Sequence, residues 1–151
     1  EGSVRDIAVS NFTAELLQEA QSYTENKIVA NQVEYNLRTR EQSHYGECKQ
    51  MESKLVPYCQ QNDVLLVAFR PIDRGTILET NEVIDAMCEK YVKTRAQIAI
   101  NWLISQKNVV AIVKSDSEAH LEENLGATGW RMDQEDIEKL RTQYPSDRTN
   151  S

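Results

Sequence analysis

Side chains able to hold a ligand recur at one kind of place in this chain, the ends of short apolar runs that read as strands. Ser10 and Asn11 follow the run Val4 to Val9, and Gln32 lies within the run Ile28 to Tyr35. Phe69 and Arg70 close the run Val64 to Phe69, and Lys114 and Ser115 close Val109 to Lys114. Hydroxyl and amide groups donate and accept together, an aromatic face takes a stacked planar ring, and a cation pairs with phosphate. In folds built from parallel strands, ligands bind at the carboxyl ends of those strands. Four successive ends carrying amide, hydroxyl, aromatic or cationic groups therefore point to a binding site. The plainer reading of any single Asn or Ser there is a cap on the helix that follows.

The elements that must position these residues alternate along the chain. Val64–Phe69 and Val109–Lys114 are nearly continuous Val, Leu, Ala and Ile, the pattern of strands covered on both faces, whereas the first two runs alternate more. Between them lie helical stripes. Leu16, Leu17, Ala20 and Tyr23 form the first, with Asn11 and Thr13 as candidate N-caps. Cys48, Met51, Leu55, Tyr58 and Cys59 form the second, in which Pro57 predicts a kink or an early end. Val83, Ile84, Met87, Cys88 and Tyr91 form the third, and Thr94-x-x-Gln97 predicts a capping box opening a fourth that buries Ile98, Trp102 and Leu103. Leu121 and Leu125 predict a short helix, and Ile137 and Leu140 a closing one introduced by Asp133. Strand–helix units repeated four times mean parallel strands with right-handed crossovers, hence an open doubly wound sheet or a portion of a (β/α) barrel. A whole barrel is excluded, since it needs roughly 250 residues, and no G-x-G-x-x-G follows the first strand.

Composition removes several classes of function. The net charge of −7 leaves no basic footprint for nucleic acid. The longest apolar runs are far too short to span a bilayer, and the opening residues do not read as a signal peptide, so none is expected. The chain starts at Glu1-Gly2-Ser3-Val4 and enters an apolar run at once, which reads as a processed or truncated sequence. Cys48, Cys59 and Cys88 form no C-x-x-C pair, and neither His44 nor His120 sits at ligand spacing from one. Reduced thiols, no metal site and a cytoplasmic home are the expectation.

The strand-end residues, taken in order, resemble the aldo-keto reductases over the whole chain. Val9-Ser10-Asn11-Phe12 looks like that family's V-S-N-F at the fifth barrel strand, and Asn31-Gln32-Val33-Glu34-Tyr35-Asn36 like its N-Q-V-E-Y-N at the sixth. Ala68-Phe69-Arg70-Pro71-Ile72 resembles A-Y-S-P-L at the seventh, and Thr94 to Trp102 resembles T-P-A-Q-I-A-L-R-W. Lys114-Ser115 with Glu123-Asn124 resembles the K-S and E-N around the eighth. The resemblance implies an α/β fold, the parallel (β/α) second half of a TIM-type barrel. It implies one domain over residues 1–144 and a polar tail over 145–151.

It also implies a cofactor, NADP(H), with NAD(H) as the alternative. Ser10, Asn11 and Gln32 would bond the nicotinamide carboxamide, Phe69 would stack on the ring, and Arg70 and Ile72 would line the pyrophosphate path. Lys114 and Ser115 would take the adenosine 2′-phosphate, and Glu123 and Asn124 the adenine. His120 stands where many members have an Arg, so the preference for NADPH is weakened, because neutral imidazole has neither a fixed charge nor a bidentate fork. Ala8 in place of a Gly and Val113 in place of a Pro read as packing changes.

The family's catalytic Asp, Tyr, Lys and His lie on its first four strands, and no counterpart occurs here. The six tyrosines of this chain read as structural, Tyr35 lacking a Lys–Asp partner, Tyr58 and Tyr91 on buried helix faces and Tyr144 at a frayed end. The chain alone should therefore lack NAD(P)H-dependent reduction of aldehydes and ketones. Its open barrel edges predict a homodimer or a separate N-terminal half-barrel chain. The other readings are a non-catalytic nucleotide-binding module or subunit, and a truncated piece with no independent role.

Overall fold

The computed structural model describes residues 2–46 and 48–146. Four parallel strands form one sheet in sequence order: β1 (Ile7–Ser10), β2 (Ile28–Glu34), β3 (Leu65–Phe69) and β4 (Val109–Ile112). Helices cover one face. They are α1 (Ala14–Ser22), α2 (Val56–Gln61), α3 (Glu82–Tyr91), α4 (Arg95–Ile104), α5 (Glu118–Leu125) and α6 (Gln134–Gln143). This is the half-barrel (β/α) arrangement that the motif order implies.

Register assigns the faces. Asn31 and Val33 of β2 pair with Leu66 and Ala68 of β3, and all four are buried under the helices. Their neighbours Gln32, Val67 and Phe69 point to the other face. There the expectation of strands covered on both sides fails. Leu65, Val110 and Ile112 are 38%, 37% and 43% exposed, because the described residues place helices on one side only.

Helix α4 is the centre of the core, with Ile98, Ala99, Trp102 and Leu103 fully buried. Its capping box is formed as expected, the Thr94 side chain accepting from the Gln97 backbone and the Gln97 side chain from that of Thr94. The Trp102 indole donates to the Ile137 carbonyl at 3.2 Å and packs 5.6 Å from the Tyr35 ring, tying α4 to α6 and β2. Asn101, wholly buried, donates to the carbonyls of Ala127 (2.9 Å) and Trp130 (3.1 Å) and accepts from the Met132 amide (3.2 Å).

Other local readings change on folding. Thr13, not Asn11, caps α1, accepting from Leu16 N at 3.2 Å. Of the first stripe only Leu17 is buried, while Tyr23 is 81% exposed beyond the helix end. Cys48 lies in a loop rather than in a helix. Pro57 does not end its helix. A π-helical turn, Met51–Leu55, runs into α2, and Pro57 sits in the first turn of that helix, where its missing N–H costs little. Leu121 and Leu125 do sit on a helix, yet α5 buries no residue. Tyr144 is not frayed: it is 6% exposed, and its carbonyl accepts from Arg40 at 3.2 Å. Of the expected tail, residues 147–151 lie outside the described residues. Among those described, no helix is long and apolar enough to cross a membrane.

Candidate functional site

The strand-end side chains fall at the carboxyl edge of the sheet in two groups. The first joins β1 to β2. Ser10 Oγ and the Asn11 amide both donate to the Gln32 carbonyl, at 3.0 and 2.9 Å. Asn11 has left-handed backbone (φ 60), a conformation Asn tolerates better than most residues. It is held there because buried Asn31 grips the next residue, donating to the Phe12 carbonyl at 2.8 Å and accepting from its amide at 3.4 Å. The Asn11 side chain is left with a buried Oδ1 that has no hydrogen-bond partner among the described residues. Such an orphaned acceptor is costly unless something else satisfies it.

The second group lines a cleft past β3 and β4. One cavity of about 560 Å³ is bordered by Phe69, Arg70, Ile72, Arg74, Ile112, Lys114 and Asn124. A second, about 540 Å³, is bordered by Ile72, Lys114, Ser115, His120, Glu123 and Asn124. They share Ile72, Lys114 and Asn124, and so run together from Phe69 to α5. Each is of a size that small ligands fill. Eight of the eleven sequence-derived positions thus line one trough. Ser10, Asn11 and Gln32 are not among its lining residues and stand together where β1 meets β2.

Electrostatics along the trough is uneven. Lys114 is almost fully exposed, with Asp116 at 3.7 Å, an acidic neighbour that competes with any phosphate. Ser115 Oγ is occupied locally, donating to the Ser117 carbonyl at 3.0 Å and accepting from its amide at 3.1 Å. His120 is exposed. Arg70 does not simply face the trough. Its left-handed backbone (φ 57) turns the guanidinium inward to Glu34, 3.3 Å away.

Glu34, fully buried, was absent from the sequence-derived set, although it lies two residues beyond Gln32 and so on the same strand face. Tyr45 was read only as structural. It stands edge-on to Phe69, with ring centroids 5.8 Å apart, and no strand or helix period marks it. Tyr35, by contrast, faces the helices. Its hydroxyl reaches Gln106 (3.2 Å) and Glu52 (3.4 Å), and burial pushes its phenol far above the usual range. Its hydroxyl is thus engaged in the core beneath the helices and not at the strand ends. Among the described residues no group of three or more His, Cys, Asp or Glu is placed to hold a metal.

This architecture and these motifs agree with comparison to known proteins. The model of the aldo/keto reductase family matches residues 1–144. Glyoxal reductase of Bacillus subtilis is 33% identical over 93% of this chain and 46% of its own length. Aldose reductase C of Dictyostelium discoideum is 30% identical over 99% of this chain and 43% of its own. The structure of an aldo-keto reductase from Klebsiella pneumoniae in complex with NADPH superposes with a TM-score of 0.81 at 26% identity, covering 99% of this chain and 51% of that one. The chain belongs to the aldo/keto reductase family. It spans about half the length of the curated relatives it matches.

Proposed function

We propose that this chain binds a nicotinamide dinucleotide, NADP(H) before NAD(H), across the carboxyl edge of its sheet. The observation that carries this reading is the trough, which brings Phe69, Arg70, Ile72, Lys114, Ser115, His120, Glu123 and Asn124 along one line. The orphaned Asn11 Oδ1 fits the same ligand, since a carboxamide N–H is the donor it lacks. In this reading Ser10, Asn11 and Gln32 fix the carboxamide, Phe69 stacks on the ring, and Arg70 and Ile72 border the pyrophosphate. Lys114 and Ser115 take the 2′-phosphate, with His120 in place of an arginine clamp, and Glu123 and Asn124 meet the adenine. A related aldo-keto reductase has been crystallised with NADPH, which supports the choice of ligand.

Bound there, the cofactor would supply a hydride, but among the described residues that line the trough there is no tyrosine–lysine–aspartate set to deliver the matching proton; Tyr91, Lys90 and Asp136 do meet, but between α3 and α6 and not at the trough. Residues 1–144 form, on this reading, a single cofactor-holding half-barrel domain whose parent reaction is reduction of an aldehyde or ketone. Alone it would be a binding module. The uncovered inner face, with Leu65, Val110 and Ile112, would be closed by a second copy or by an N-terminal half-barrel chain. Its three free thiols suit a reducing, cytoplasmic compartment.

Titration with NADPH and NADH, followed by reduced-nicotinamide fluorescence, tests the assignment. Saturable binding in the micromolar range, tighter for NADPH, is expected. Absence of binding below millimolar concentration would overturn it. Light scattering after size exclusion tests the partner, and a stable folded monomer would count against one.

A further inference from the structure

We propose that Tyr45 is a second aromatic wall of the nicotinamide end, held in place by Arg70 and the buried Glu34 carboxylate. The inference rests on the cofactor reading above and adds to it a residue from outside the family's strand-end motifs.

The chain of support starts at Glu34. It is fully buried and paired in register with Phe69. A carboxylate in such a place is costly unless its lone pairs are met. Here Oε2 accepts from the His44 amide at 2.7 Å and the Ser43 hydroxyl at 3.2 Å and lies 3.1 Å from His44 Nδ1, while Oε1 meets Arg70 Nη1 at 3.3 Å. Satisfying Glu34 therefore requires residues 43 and 44 to lie down on the end of the sheet. Tyr45 is carried with them.

Arg70 and Arg74 then fix the ring. The Arg70 guanidinium lies over Tyr45, 4.1 Å from its centroid, and Arg74 Nη2 donates to the Tyr45 hydroxyl at 2.9 Å. Asn36 holds the backbone of Arg70, donating to its carbonyl at 3.0 Å. On the other side, Gly46 (φ +66) packs so close that an added Cβ would stand 3.3 Å from Asn11 Cβ. The loop thus touches both Asn11 and Phe69, the two residues that bracket the ring position. A planar ring set between them meets the Tyr45 side chain as well. Arg70, at the position of a small Ser in the family pattern, acts here mainly as the brace of this wall.

The test separates the two ends of the cofactor. NADPH carries both; adenosine 2′,5′-bisphosphate carries only the adenine end. Tyr45→Leu keeps apolar bulk so that the loop stays packed, but removes the flat ring. It should weaken NADPH about tenfold, the scale of one lost aromatic contact, and leave the bisphosphate within twofold. Tyr45→Phe should bind both like the unmodified chain. Unchanged NADPH affinity in Tyr45→Leu, equal losses for both ligands, or a Tyr45→Phe as weak as Tyr45→Leu would overturn the proposal. If the unmodified chain binds neither ligand, the cofactor reading itself fails and this wall with it.

Discussion

Replacing Glu34 tests how the mouth of the site is organised. The Ser43 hydroxyl and the His44 amide donate to Oε2, His44 Nδ1 lies beside it, and the Arg70 cation meets Oε1, all within 3.3 Å. Glutamine keeps the volume. Its best orientation leaves the oxygen on the His44 and Ser43 side and turns the amide N–H toward Arg70, donor against donor. The charge-assisted pair is lost and the remaining bonds become neutral, a loss of about 2–3 kcal/mol. The Arg70 side chain is 24% exposed and recovers part of its hydration, which holds the cost below the full penalty of an abandoned buried charge. Glu34→Ala also opens a cavity and orphans every donor, and should cost about 3–5 kcal/mol. Equilibrium urea unfolding of the 151-residue chain measures both. For a protein of this size, 2–3 kcal/mol corresponds to roughly 4–12 °C in Tm. In an Arg70→Ser background, Glu34→Gln should cost about 1 kcal/mol less, the signature of direct coupling. A cost for Glu34→Gln below about 0.5 kcal/mol, or strict additivity with Arg70→Ser, would refute the organising role.

Lys114→Ala should weaken NADPH about five- to tenfold and NADH less than twofold, the range of one exposed cation on a phosphate, and equal losses in competition titrations would contradict the phosphate assignment. Burial of Asp136 opposes ionisation, but the Lys90 ammonium and the Tyr91 hydroxyl bonded to it outweigh that and hold its carboxyl below the ordinary 3.8. Its pairing therefore stabilises the fold above that value and is lost as pH falls through the depressed folded pKa. The Tm difference between Asp136→Asn and the unmodified chain should be clear at neutral pH and close below the ordinary carboxylate value; a pH-independent difference would sink this. Burial pushes the thiols of Cys48 and Cys59 up to about 11 and about 12. At pH 7.5, iodoacetamide should modify half-buried Cys88 first and reach the other two only on unfolding; mass spectrometry of native digests would expose early labelling of Cys48 or Cys59.

Much of this protein was legible from residue order alone. Apolar periodicity located all four strands to within a few residues, and the Thr94–Gln97 box fixed the start of α4, because both signals are local. The strand-end residues were legible as a set, since a parallel sheet places every carboxyl edge on one side. What was not legible depends on which surface each segment meets. Tyr23 and Leu16 share an apolar stripe with Leu17, yet only Leu17 is buried. Tyr144 looked terminal, but Arg40, about a hundred residues earlier in the chain, reaches its carbonyl.

The same division runs through the site. Sequence by itself determined which groups stand at the strand ends and the family to which they belong, because those residues follow their strands directly. Only the tertiary structure decided how those groups are used. It turned Arg70 inward to a buried carboxylate, left Asn11 Oδ1 without a donor among the described residues, and laid Tyr45 beside Phe69. The reason is physical: a strand's period fixes the face a side chain takes, while the partner on that face comes from a loop whose path the period does not encode.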